Sequence, residues 1–88
     1  MSMTKLLPTF AVMGGWLESG TSINGIMEPG VWSVPGGCTS MPTNVNATLV
    51  VLVPSSDRVV QLFVANSSGK TYVRHCVNGS WNEWVALN

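Results

Sequence analysis

The single histidine, His75, stands beside one of two cysteines, Cys76, and a thiol next to an imidazole is the raw material of nucleophilic catalysis. Neighbours on a β-strand point to opposite faces, however, so this couple cannot work as nucleophile and base. Two cysteines, Cys38 and Cys76, and one histidine are too few for a closed zinc site and lack its paired spacing. The acids Glu18, Glu28, Asp57 and Glu83 are scattered over separate segments, which gives no support for a glycosidase carboxylate pair. Glycine-rich phosphate cradles are absent as well. No catalysis, cofactor or metal is expected. Binding chemistry is better represented. Trp16, Trp32, Trp81 and Trp84 either fill a core or interface or offer ring faces to sugars. A pyranose presents C–H faces to aromatic rings and hydroxyls to polar groups, so Gln61, Tyr72, Arg74, Trp81 and Glu83 form the candidate binding set.

These residues need strands to position them. Asn78-Gly79 separates two runs rich in aromatic and β-branched residues, the strongest short-range signal for a hairpin with a type I′ turn. With Val77 and Ser80 flanking the turn, Cys76 falls opposite Trp81, Arg74 opposite Glu83, Val73 opposite Trp84 and Tyr72 opposite Val85. Upstream, Thr48–Val53 and Arg58–Ala65 read as strands, separated by Pro54-Ser55-Ser56-Asp57 and followed by the turn Asn66–Gly69. The simplest registers pair Phe63 with Tyr72, Leu62 with Val73 and Gln61 with Arg74. One face then carries Leu49, Val51, Val53, Val60, Leu62, Val64, Val73, Trp84 and Ala86, and this face is the expected core. The other holds a polar row, Gln61–Arg74–Glu83, among Val50, Val59, Phe63, Tyr72 and Trp81. It is too apolar for a solvated surface, so the N-terminal half, neighbouring subunits or a ligand must cover it.

In the N-terminal half, residues 1–18 read as an irregular or briefly extended lead-in, or as an oligomer contact segment, broken by Pro8, Gly14 and Gly15. Its apolar run is too short and interrupted to span a bilayer, and no small-x-small pattern marks a cleaved leader. Residues 19–88 form the β domain. Ser19–Asn24 is turn-forming and caps one helical turn through Ile23–Met27, and Val31–Val34 is a short strand closed by Pro35-Gly36-Gly37. Cys38–Asn46 has no period. The fold class is all-β, mainly an antiparallel meander of about four strands plus a short N-terminal strand and at most one helical turn.

Charged residues make up 9% of the 88-residue chain and apolar residues 45%, against a usual charged share of about a quarter. Such a surface is expected to be covered by copies of the chain in a homo-oligomer. The formal net charge of zero leaves no electrostatic footprint for nucleic acid and no polybasic membrane-surface segment. Cys38 and Cys76 read as reduced core thiols or as one bridge across a long loop.

Taken together, Gly20-x-x-Ile23-Asn24, Glu28-Pro29-Gly30-Val31-Trp32, Gln61, Gly69-Lys70-x-Tyr72-Val73-Arg74 and Gly79-Ser80-Trp81-Asn82-Glu83-Trp84 resemble the pyocin-knob type of domain, found in tail fibres of bacteriophages and phage-tail-like bacteriocins. Ser22 stands where that family often has an acid. The resemblance implies a non-enzymatic virion component, a homotrimer assembled in the bacterial cytoplasm with other fibre or virion proteins as partners, contributing to attachment to a host-surface glycan or protein. It also implies that Tyr72, Arg74, Trp81 and Trp84 are structural determinants. A chain holding little beyond such a knob is expected to be a separately encoded tip or accessory protein, or a fragment. The alternatives are a purely structural capping or connecting virion protein and a small secreted lectin-like module with a Cys38–Cys76 bridge.

Overall fold

The structure, a computed structural model, describes residues 13–88. The expected lead-in therefore lies outside the described residues for positions 1–12. Among the described residues, seven strands form one sheet: β1 (Met13–Trp16), β2 (Gly30–Val34), β3 (Ala47–Ser55), β4 (Arg58–Ala65), β5 (Thr71–Val77), β6 (Ser80–Trp81) and β7 (Val85–Ala86). Their order is β1-β2-β3-β4-β5-β6, with β7 also on β5, and all neighbours are antiparallel except β1 and β2. The all-β meander is thus as expected. The expected helical turn is a 3₁₀ turn, Ile23–Gly25, capped by the Ser22 hydroxyl, which accepts from the Asn24 N–H.

The β5–β6 hairpin forms on its turn signal. Asn78 and Gly79 take φ of 51° and 85°, the left-handed values a type I′ turn demands. A Cβ on Gly79 would meet no atom within 4 Å, so Gly79→Ala is expected to cost about 1 kcal/mol from backbone strain alone. Thermal denaturation of the variant measures it directly.

Two irregularities change which face each strand presents. The β4–β5 register is as expected, with Gln61 opposite Arg74, Leu62 opposite Val73 and Phe63 opposite Tyr72. Between β3 and β4, however, the register shifts between Leu52 and Ser55. Pro54 lies in that interval and has no N–H for the ladder, a standard setting for a bulge. The shift pairs Leu49 with Phe63 and Val51 with Gln61. In β7, Tyr72 faces Ala86 and Val73 faces Val85, one residue away from the expected Tyr72–Val85 and Val73–Trp84 pairs. Asn82 makes the step: its N–H donates to the His75 carbonyl at 3.0 Å and its Oδ1 accepts from the His75 N–H at 2.7 Å.

The expected core face is therefore corrected. Leu49 and Val51 are buried, but they pack with Phe63, Ala47, Val34, Ile23 and Cys38. Val60, Leu62, Val64 and Val73 are only half-buried on the outer face, and Val53 and Ala86 are exposed. The cover over the inner face is the N-terminal half: Ile23, Ile26, Met41 and Val45 lie on it. Cys38 and Cys76 are buried free thiols. The aperiodic Cys38–Asn46 loop is held by side-chain amides, Asn46 Oδ1 accepting from the Gly36 N–H at 2.8 Å and Asn44 Oδ1 from the Gly37 N–H at 2.7 Å.

Candidate functional site

The inner face buries two polar side chains, Gln61 at 0% exposure and Arg74 at 5%. Strand alternation puts both beneath the 3₁₀ turn, where they find each other and the backbone above. Gln61 Nε2 donates to the carbonyls of Ile23 at 2.7 Å and Ile26 at 2.9 Å. Its Oε1 accepts from Arg74 Nε at 2.9 Å. The amide thereby satisfies two carbonyls at the end of the turn and one nitrogen of a buried cation, as buried polar groups require.

Arg74 Cζ lies 4.1 Å from the ring centroid of Trp81 and 4.4 Å from that of Trp84, both cation–π contacts. A regular strand could not place these two tryptophans on one face, because positions three apart alternate. The slip at Asn82 brings Trp84 across. Both indoles are anchored to the covering half, Trp81 Nε1 donating to the Asn24 carbonyl at 3.1 Å and Trp84 Nε1 to the Ser40 carbonyl at 2.9 Å. Trp84 also meets Phe63 edge-on at 5.8 Å.

An open groove of about 700 Å³ runs over these groups, lined among others by Asn24, Ser40, Tyr72, Arg74, Trp81 and Glu83. Four of the five candidate residues thus share one groove. The fifth, Gln61, is sealed beneath Arg74. The Gln61–Arg74–Glu83 row is corrected to a pair: the register slip sets Trp84 against Arg74 and leaves Glu83 exposed, so the expected Arg74–Glu83 ion pair does not form. Among the described residues, two buried atoms beside the groove lack hydrogen-bond partners, Arg74 Nη2 and Asn24 Oδ1. Burial pushes the Arg74 pKa down to about 10, so the guanidinium stays cationic at neutral pH. The cost of its charge to the fold is full below pH 10 and fades as pH rises above it toward the ordinary guanidinium range.

Sequence reading missed Asn24, Ser40 and Trp84 as site residues. The first two hold the indoles through main-chain carbonyls, which carry no side-chain signature. Trp84 was assigned to the wrong face, and the signal against that was Asn82, a poor strand former placed where the ladder steps.

No protein-family model matches the sequence, and a comparison with curated proteins finds no match. Solved structures do match. A C-terminal portion of the R1 pyocin fibre of P. aeruginosa superposes with a TM-score of 0.80 and 27% identity over 88% of this chain and 22% of that one. The corresponding R2 pyocin fibre of P. aeruginosa gives a TM-score of 0.79 and 21% identity over 85% of this chain and 22% of that one. An N-truncated R2-type pyocin tail fibre gives 0.78 and 21% over 85% and 32%. The R2 matches are a likeness of fold alone, and the chain spans only 22–32% of the fibre chains it matches. The chain has the fold of a domain of the pyocin fibres.

Proposed function

We propose that this chain is a non-enzymatic module of a tail fibre or comparable virion structure, and that it contributes to attachment to a bacterial surface polysaccharide through the groove around Tyr72, Arg74, Trp81 and Glu83. The observation that carries the reading is the likeness to the R1 pyocin fibre, at a TM-score of 0.80 and 27% identity. The groove supports the polysaccharide, since aromatic rings beside polar groups suit a pyranose. Assembly would take place in the bacterial cytoplasm, with other fibre proteins as partners.

A homotrimer completes the proposal. Cross-strand pairing lines up Val31, Val50, Leu62, Val73 and Val85 in one aliphatic row on the outer face. Exposed Trp16 stands at one border of that face, paired with Ser33. A sheet face turned to water carries polar residues at most outward positions, and this one does not. Burial against neighbouring copies accounts for it. Light scattering of the full chain at micromolar concentration is expected to give the mass of three chains, and Leu62→Asp to give the mass of one with an unchanged circular dichroism spectrum. A monomeric mass for the unsubstituted chain would overturn the trimer.

The second reading, a purely structural capping or connecting protein, has one observation in its favour: both indole N–H groups and the Gln61 amide are spent on tying the two halves of the domain together. Adsorption of the labelled chain to a panel of bacterial strains, before and after surface polysaccharide is stripped, separates the two. Attachment predicts adsorption that stripping abolishes. Stable docking onto virion proteins without any adsorption selects the structural role.

A further inference from the structure

Two hollows at one end of the sheet share no lining residue with the groove over Arg74. They measure about 510 and 230 Å³ and have Asn46 and Asn66 as a common wall. Trp16, 84% exposed, bounds the smaller one, and Asn44 and Val45 line the larger. The amides of this region are held by their oxygen ends. Asn46 Oδ1 accepts from the Gly36 N–H at 2.8 Å, Asn44 Oδ1 from the Gly37 N–H at 2.7 Å and Asn66 Oδ1 from the Thr48 hydroxyl at 3.0 Å. Each bond fixes an amide plane and leaves its NH₂ group to donate. All three residues are exposed, and among the described residues nothing accepts from these NH₂ groups. The Asn66 N–H also donates to the Asn46 carbonyl at 3.0 Å, so these two residues stand side by side, set in place before a ligand arrives.

We infer that this end of the sheet is a subsite for an uncharged N-acetylated hexosamine of a surface polysaccharide, its ring against the indole of Trp16 and its acetamido carbonyl accepting from the NH₂ groups of Asn46 and Asn66. The inference rests on the attachment reading and adds a second site to it. An exposed indole offers its face to the C–H face of a pyranose. A carbonyl oxygen has two acceptor lone pairs and no proton, which matches a wall of two donors whose own oxygens are engaged. A hydroxyl in its place brings a proton for which the wall has no free acceptor. Val45, between Asn44 and Asn46, is the apolar surface for the acetamido methyl. Among the described residues no charged side chain lines either hollow, so an acidic or amino sugar gains no charge-assisted bond here. Trp16 stands at the border of the outer face, and copies packed through the aliphatic row place the subsite at the rim of the assembly.

Isothermal titration and nuclear magnetic resonance of the full chain test the assignment, with a panel of N-acetylhexosamine disaccharides, each beside the hexose disaccharide that carries a hydroxyl in place of the acetamido group. Binding of the acetylated forms is expected to be at least tenfold tighter. It should shift the Trp16 indole N–H and the side-chain NH₂ resonances of Asn46 and Asn66 and leave the indoles of Trp81 and Trp84 unmoved. Asn66→Asp keeps an oxygen for the Thr48 hydroxyl and replaces the donor by a second acceptor. It is expected to weaken binding of the acetylated forms at least tenfold with an unchanged circular dichroism spectrum. Trp16→Ala is expected to do the same, with light scattering to show that assembly is intact; where the mass changes, Asn66→Asp alone decides. Equal binding of the acetylated and hydroxyl forms would overturn the acetamido assignment while leaving polysaccharide attachment standing. Binding that moves Trp81 or Trp84 instead puts the sugar in the other groove and overturns this subsite. If no panel member binds while the chain still adsorbs to cells, the subsite falls and attachment survives; if adsorption is also absent, both fall.

Discussion

Gln61→Leu is expected to remove about 2–5 kcal/mol of folding stability, a large share of a domain's whole margin of about 5–15 kcal/mol. The size follows from the connections of one amide. Leucine nearly matches its volume, so the core loses little packing. It removes both hydrogen bonds to the carbonyls of Ile23 and Ile26 and the acceptor of Arg74 Nε. The Ile23 carbonyl keeps the Ile26 N–H at 3.2 Å, so the Ile26 carbonyl and Arg74 Nε are the groups left without a partner, each at about 1–3 kcal/mol with the charged one toward the upper end. Added apolar burial offsets only about 1 kcal/mol. Urea denaturation followed by tryptophan emission is the measurement, because Trp81 and Trp84 sit on the guanidinium that Gln61 positions. A midpoint close to that of the unsubstituted chain would show that the turn at Ile23–Gly25 does not depend on this amide.

The same amide shows how far the sequence could be read. The alternation in Arg58–Ala65 and Thr71–Val77, with the turns at Asn66–Gly69 and Asn78-Gly79, was enough to place β4, β5 and the hairpin and to pair Gln61 with Arg74. Those signals are local, and the backbone obeys them locally. The assignment of faces required a count through Pro54 and through Asn82, and at each point the ladder gains one residue of shift. Because side chains alternate with period two, one residue exchanges the whole face beyond it. The outcome placed the apolar row of Val60, Leu62, Val64 and Val73 outside and the polar pair inside. The partners of that polar pair were not legible for a different reason. Ile23 and Ile26 receive the hydrogen bonds of Gln61, and Asn24 and Ser40 those of the indoles flanking Arg74, on main-chain carbonyls, and every residue has one. What could be read was the unsatisfied demand, a face too apolar for water and too polar for a simple core. Its cover came from the half of the chain with the weakest periodicity.

Adjacent residues on β4 give the sharpest test of this correction. Phe63→Ala is expected to cost about 3–5 kcal/mol and Leu62→Ala about 1 kcal/mol or less in the isolated subunit. Phe63 is 0% exposed and pairs with Leu49 across the bulged register. It meets Tyr72 edge-on at 6.1 Å and Trp84 at 5.8 Å, so truncation opens a cavity and loosens the indole that rests on Arg74. Leu62 points to the outer face beside Val50 and Val73, where neighbours within its own subunit cover only part of it. An unbulged β3–β4 pairing reverses the order, with Leu62 as the core residue. Denaturation midpoints at several protein concentrations separate folding from association. The Phe63→Ala loss is expected to persist at every dilution, while any Leu62→Ala loss that grows with concentration belongs to contacts between copies. A concentration-independent Leu62→Ala loss equal to that of Phe63→Ala would mean that the outer row is packed within the subunit, and the case for burying it against neighbouring copies would go with it.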